Sequence, residues 1–208
     1  MKISAIVPLK KNSRRLKNKN FLNLDNQPLY YHIFNTLINI PQIKNVYCYT
    51  SSTKFLKFLP NEVLHLKRPK RLDKDSVQAN ELFRYCVEKV NTDYILISHA
   101  TNPFINKSSI IKGINAIKSK KYDSSMSVLK HQTYSWFKRS PLNYDPYDMS
   151  QTQDLQPLYT ETSGFYIFKR KDYLNYNTRI SKKPFLVEIT QKEAIDIDEL
   201  KDYNLSKK

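Results

Sequence analysis

Short apolar runs alternate with segments of helical spacing through the first 120 residues. Ile3–Val7 is a nearly continuous apolar run, as a strand buried on both faces requires. Leu29–Asn39 places Leu29, Ile33, Phe34, Leu37 and Ile38 on one stripe, which predicts an α-helix. Val46–Thr50 reads as a second strand, and Ser52–Phe58 as a short helix ended by Pro60. Val63–Leu66 is a third strand. Asp75 or Ser76 is placed to cap a helix running to Val90, whose stripe is Leu82, Phe83, Cys86, Val87 and Val90. Tyr94–Ile97 is a fourth strand, followed by a loop and a helix over Lys107–Lys120. Alternation of this kind predicts an α/β fold: a mostly parallel sheet with helices on both faces.

The pattern breaks after Ser127–Leu129. Lys130–Tyr159 holds Trp136, several tyrosines and Pro141, Pro146 and Pro157, with little periodicity. A stretch this long inside a compact domain is either functional or an oligomer arm. Order returns at Gly164–Phe168, Phe185–Ile189 and Glu193–Leu205. One domain over residues 1–208, with an arm inserted at 130–160, is the simplest organisation.

Length is consistent with that: 208 residues suffice for one α/β core and are marginal for two. No apolar run approaches the ~18–20 residues of a membrane span. The opening Met1–Lys11 is too short in apolar residues for a signal peptide, so the expected compartment is the cytoplasm. Cys48 and Cys86 sit in apolar-periodic segments without metal-type spacing and read as buried thiols. The net charge of +16 fits either nucleic acid or a phosphate-rich small substrate. There are only two glycines, so asparagines such as Asn12, Asn18 and Asn26 are expected at positive-φ turns.

Where the charge concentrates is more informative. Lys10, Lys11, Arg14, Arg15, Lys17 and Lys19 put six cations within ten residues, directly after strand one. Open α/β sheets bind ligands beyond that strand end, and several cations suit a polyphosphate. A solvated basic loop fits the charge equally well. A second basic loop, Lys67–Asp75, follows strand three at the same predicted sheet edge. Ala194-Ile195-Asp196-Ile197-Asp198 alternates, so on a strand both carboxylates share a face, roughly 6–7 Å apart. Such a pair can hold Mg²⁺, although an ordinary exposed edge strand looks the same. Ser98–Pro103 is a polar loop at the end of strand four, with His99 either structural or functional.

In order, these residues resemble the acylneuraminate cytidylyltransferase family. The family's opening PARGGSKGIPGKN is met by PLKKNSRRLKNKN, with Pro8, Ser13, Lys19 and Asn20 in register. Lys10 stands for the family's Arg and Arg14 for its Lys. RPxxL followed by Asp is met by Arg68, Pro69, Leu72 and Asp75. LLQPTSP corresponds to ISHATNP, keeping Thr101 and Pro103; NGAIYIF corresponds to TSGFYIF at Thr162–Phe168; DID is met by Asp196 and Asp198. HATNP and Thr152–Pro157, ahead of Tyr159 and Glu161, point to the branch associated with surface glycans. The chain departs from the family at the loop glycines, replaced by Lys11, Asn12 and Arg15, and at His99 and Thr162, which replace Gln and Asn.

The resemblance implies a Rossmann-like αβα nucleotidyltransferase fold and transfer of CMP from CTP to a sugar acid. It implies Mg²⁺ on Asp196 and Asp198, and a catalytic part for Lys19 and Asp198. The nucleotide would meet Lys10, Ser13, Arg14, Lys19, Asn20 and Arg68. The acid would meet His99, Thr101 and Thr162, with its charge countered by Lys130, His131 or His99. Arg15 is expected to matter little. The 130–160 arm would form a homodimer, with neither nucleic acid nor membrane as partner. The same chemistry on another acid such as a phosphonate, a nucleic-acid-binding domain, and a non-catalytic scaffold are the alternatives.

Overall fold

The computed structural model describes residues 1–207. Seven strands form one sheet: β1 (Ile3–Pro8), β2 (Ile43–Thr50), β3 (Val63–Lys67), β4 (Tyr94–Ser98), β5 (Ser124–His131), β6 (Leu158–Lys169) and β7 (Pro184–Glu188). Their spatial order is β7-β5-β6-β4-β1-β2-β3. All neighbours run parallel except β6, which is antiparallel to β4 and β5. The expected mostly parallel α/β sheet is therefore present.

Strand alternation feeds two cores. Ala5, Val7, Leu96, Phe165 and Ile167 face α1 (Leu29–Ile38) and α3 (Lys107–Lys118). Ile6, Ile95, Ile97, Tyr166 and Phe168 face α2 (Ala79–Lys89) and α4 (Arg170–Tyr176). Burial of each of the Val, Leu, Ile and Phe side chains among them contributes about 1.5–3 kcal/mol. Cys48 and Cys86 are buried free thiols, as expected. Tyr30 joins the predicted stripe of α1, donating its hydroxyl to the Phe55 carbonyl at 2.9 Å. Gly113 allows α3 to lie close on the sheet: a Cβ there would sit 2.8 Å from the Phe165 ring. A third, smaller cluster of Leu24, Leu29, Ile197 and Tyr203 lies under α5 (Leu200–Leu205).

Several local expectations are corrected. α2 starts at Ala79 with Gln78 at its N-cap, so neither Asp75 nor Ser76 caps it; the Asp75 carboxylate is engaged by two cations instead. Ala194–Asp198 is not a strand, and among the described residues it pairs with no strand. It is an extended loop pinned by Ile197 N–H to the Thr101 carbonyl at 2.8 Å and by Asn102 Nδ2 to the Ile195 carbonyl at 3.2 Å. Asn18 and Asn26 take positive φ, at 55° and 63°; Asn12 does not.

The irregular stretch is narrower than Lys130–Tyr159. β5 reaches His131 and β6 begins at Leu158, because the two strands keep pairing beyond the rest of the sheet, with Lys130 opposite Tyr159. Between them, Trp136–Phe137 pairs with Ser140–Pro141 in a small hairpin. Side-chain amides staple this segment. Gln132 Nε2 donates to the Leu155 carbonyl at 2.6 Å, and Asn143 Nδ2 to the Thr133 and Gln156 carbonyls at 3.0 Å. Among the described residues no helix is long and apolar enough to cross a membrane.

Candidate active site

The β1 loop, the β3 loop, the end of β4 and the Ile195–Asp198 segment meet around one open cleft, at the carboxyl edge of the parallel strands. It has two contiguous parts of about 450 and 400 Å³, which share Pro8, Lys10, Asp75, His99 and Ser163. Lys10, Ser13, Arg14, Lys19, Asn20, His99, Thr101, Asp196 and Asp198 all line the larger part, and Arg68 lines the smaller. Residues scattered from 10 to 198 thus converge, because parallel strands deliver their following loops to one edge.

Two ion clusters flank the cleft. Lys10 and Arg14 both contact Asp75, the Arg14 Nε at 2.6 Å. Hydrogen bonds from Lys10 first and Arg14 second hold the Asp75 carboxyl below the usual carboxylate range. Lys19 Nζ lies 2.5 Å from Asp198 Oδ1, and the Arg15 guanidinium contacts the other Asp198 oxygen. Arg15 therefore sits in the cleft, against the expectation that it would be peripheral. The replaced loop glycine hid that position.

Asn20 and Arg68 shape the walls. Buried Asn20 donates Nδ2 to the Lys10 carbonyl at 2.9 Å, tying the two ends of the cationic loop together. Arg68 is buried; its Nη2 donates to the Leu9 carbonyl at 2.7 Å and pairs with Asp73 at 2.6 Å, while its guanidinium lies over Tyr49. Its ties are to protein groups, and it reaches the cleft only as a wall of the smaller part.

The carboxylate segment is anchored from below. Ile197 is fully buried, so its neighbours Asp196 and Asp198 face the cleft, as alternation predicts even without a strand. Asp198 N–H donates to Asp202 Oδ2 at 3.1 Å. Buried Glu193 accepts hydrogen bonds from Ser109 Oγ at 2.6 Å, Asn106 N–H at 3.1 Å and Thr190 N–H at 3.0 Å. Burial alone would raise the Glu193 pKa, but these donors outweigh it and hold the carboxyl lower. Among the described residues Asp196 Oδ1 is buried without a hydrogen-bond partner. Among the described residues no group of three or more His, Cys, Asp or Glu side chains is arranged for a metal. Asp196 offers an orphaned hard oxygen donor, and Asp198 adds a second where a cation such as Mg²⁺ displaces Arg15 or Lys19 from it; together they fit such a cation, the rest of whose shell would come from water and substrate phosphates.

The expected acid-binding residues divide. Thr101 lines the cleft. His99 does too, but burial, aided by the Arg179 charge, pushes its pKa down to about 4, so at neutral pH it is uncharged and cannot counter a carboxylate. Lys130 and His131 lie on the β5–β6 ladder and line neither part of the cleft. Thr162 turns inward, its Oγ1 bonded to Ser127 O at 3.1 Å and Ser127 Oγ at 2.7 Å. Its neighbour Ser163 lines the cleft instead. The cause is a bulge: β6 advances from Glu161 to Tyr166 while β5 recedes only from Val128 to Met126. Arg179, which no sequence pattern singles out, also lines the smaller part.

Comparison with known proteins bears on the family and the fold. The cytidylyltransferase family model matches residues 4–207. An N-acylneuraminate cytidylyltransferase of Escherichia coli is 22% identical over 219 residues, spanning 99% of this chain and 51% of its own. A Helicobacter pylori protein is 21% identical over 218 residues, spanning 99% of this chain and 42% of its own. It is named pseudaminic acid cytidylyltransferase and UDP-2,4-diacetamido-2,4,6-trideoxy-beta-L-altropyranose hydrolase. The chain thus spans about half the length of the curated relatives it matches. The solved structure of CMP:2-keto-3-deoxy-manno-octonic acid synthetase complexed with CTP covers 100% of this chain and 97% of its own. Its TM-score is 0.73 at 12% identity, a likeness of fold. With the family model matched from the first strand to the last helix, this chain belongs to the cytidylyltransferase family.

Proposed function

We propose that the chain joins CMP from CTP to a sugar acid and releases pyrophosphate. The observation that carries this reading is the cleft itself. Cations of the β1 loop line one wall, Asp196 and Asp198 the other, and Lys19 bridges them at 2.5 Å. Family membership supports the cytidylyl group; the order of motifs supports an acidic sugar of surface glycans over a phosphonate.

In this reading Lys10, Ser13 and Arg14 receive the triphosphate, with Asn20 holding the loop in shape. The acceptor hydroxyl oxygen attacks the α-phosphorus as its proton passes to solvent water, the α–β phosphoanhydride bond breaks, and pyrophosphate leaves with the electron pair. Negative charge grows on the α-phosphate oxygens and the leaving group, and Lys19 is placed to offset it. Asp196 and Asp198 would hold Mg²⁺, which supplies Lewis-acid polarisation of phosphate oxygens when bound. Catalysis is then chiefly positioning and charge stabilisation. Working in the cytoplasm, the chain would pair as a homodimer through the hairpin arm, where Trp136, Phe137 and Tyr147 are exposed.

The test is a panel of CTP, UTP, ATP and GTP with Mg²⁺ and several sugar acids and phosphonates, reading pyrophosphate and conjugate mass. A CMP–sugar acid product with CTP preferred is expected. Equal turnover of all four nucleotides, or salt-sensitive polynucleotide binding with no turnover, overturns the reading.

A further inference from the structure

An acidic acceptor needs a cation in the cleft that is not already engaged. Lys10 and Arg14 share Asp75, Arg15 and Lys19 share Asp198, and Arg68 is held by Asp73 and the Leu9 carbonyl. His99 is neutral, and Lys130 and His131 stand outside. Lys74 lines the smaller part from an exposed loop, and among the described residues its side chain makes no ion pair or hydrogen bond that would fix its direction.

Arg179 differs. α4 ends at Asn177 in the left-handed conformation, φ 53°, and the chain turns back towards Tyr166. The Arg179 guanidinium carbon lies 3.8 Å from the centre of the Tyr166 ring. The Tyr166 hydroxyl donates to Glu161 Oε2 at 2.9 Å. That same oxygen is 3.9 Å from Arg179 Nη2, too far for a hydrogen bond. A guanidinium resting on an aromatic ring is oriented by it, yet keeps its N–H edge open for a planar anion. Arg179 shares its half of the cleft with His99 and Ser163, which also line the half holding Asp196 and Asp198. It therefore faces the space next to the reacting end.

We propose that Arg179 is the receptor for the carboxylate of the sugar acid, binding it in a two-pronged hydrogen-bonded pair beside Ser163. The proposal rests on the cytidylyl-transfer reading and names the residue that makes the acceptor an acid. Glu161 is its resting counter-charge, close enough to attract but not to occupy the N–H edge.

The experiment measures KM for the acid and for CTP, and equilibrium binding of the acid and its methyl ester to CMP-loaded protein. The proteins are the parent, R179Q, R179K, E161Q and K74A. In the parent the ester is expected to bind about 10- to 100-fold more weakly than the acid, the range for a lost charged hydrogen-bond pair. R179Q is expected to raise the acid KM by a similar factor, leave the CTP KM within about twofold, and bind acid and ester alike. R179K keeps charge but not the fork and falls between. E161Q keeps Arg179 and binds the acid as tightly as the parent or more so, and K74A leaves the preference intact. Undiminished preference for the acid in R179Q overturns the proposal, as does an effect of R179Q confined to CTP. A parent that treats acid and ester alike also overturns it while leaving cytidylyl transfer standing. A parent that makes no CMP conjugate from any acceptor removes the functional reading and this proposal together.

Discussion

The two ion clusters that flank the cleft have the same composition: one carboxylate and two cations from the β1 loop. Their surroundings differ. The Asp75 side chain is 42% exposed and Arg14 is 76% exposed. Exposed pairs of this kind are screened by water and contribute little, so a competing anion can replace the carboxylate at small cost. Asp198 is 23% exposed and Lys19 16%, with only the outer cation, Arg15, at 62%. Asp198 sits next to buried Ile197, and its own N–H is held by Asp202. The contrast teaches that one pairing pattern can do two tasks, with burial choosing between them. In the proposed reaction the cations around Asp75 would be parked until a triphosphate arrives. Around Asp198 a cation and a carboxylate are fixed in mutual position.

The contrast predicts a hierarchy of effects. Asp198→Asn is expected to abolish turnover, and Asp196→Asn to lower it at least about tenfold, with unchanged circular dichroism. Near-parental turnover in the double variant would remove the metal assignment. Lys19→Ala comes next: kcat should fall about 100-fold, the scale of losing one preorganised charge-stabilising donor. Its CTP KM should change little, since Lys19 acts where charge develops. Asp75→Asn should be mild, moving the CTP KM less than about fivefold and downward, because freed cations bind phosphate better. If Asp75→Asn costs as much turnover as Asp198→Asn, the division of labour is wrong.

The smallest expected effect tests the anchoring beneath Asp198. The folded Glu193 carboxyl has a depressed pKa, so its stabilisation is complete above the unfolded value and lost as pH falls through the folded one. Glu193→Gln should destabilise by about 1–3 kcal/mol near neutral pH. The deficit should close as pH falls below the ordinary glutamate value of about 4.3. Thermal melts of both proteins from pH 7 to pH 3 would measure it. A pH-independent gap would mean that packing, not charge, sets the role of Glu193.

Sequence reading works best where local pattern and tertiary role coincide. The cations after β1 could be placed at the cleft because a buried strand followed by a basic loop delivers them to the carboxyl edge. Asp196 and Asp198 were legible through alternation with Ile197, although the backbone there is a pinned loop. Asp75 misled because an acid ahead of an apolar-periodic segment looks like a helix cap, and nothing local reports two cations more than 60 positions earlier. Thr162 misled for a different reason. Its place came from matching the family's NGAIYIF segment, and such a match does not report the bulge that turns Thr162 inward and Ser163 to the cleft. Arg179 was invisible: its partner ring arrives through the fold, and the loop around it carries no motif.

The antiparallel strand β6 has a consequence for how the chain assembles. It lies between β4 and β5, so β5 and β7 join the rest of the sheet only through it. During synthesis the four parallel strands β1 to β4 are complete by residue 98, yet β4 keeps one edge open until residues 158–169 emerge. An unpaired strand edge invites association with other chains. The late arrival of β6 also places many long-range pairings in the final steps of folding, which slows them. Nascent chains stalled before residue 158 should therefore be the species most in need of chaperone protection.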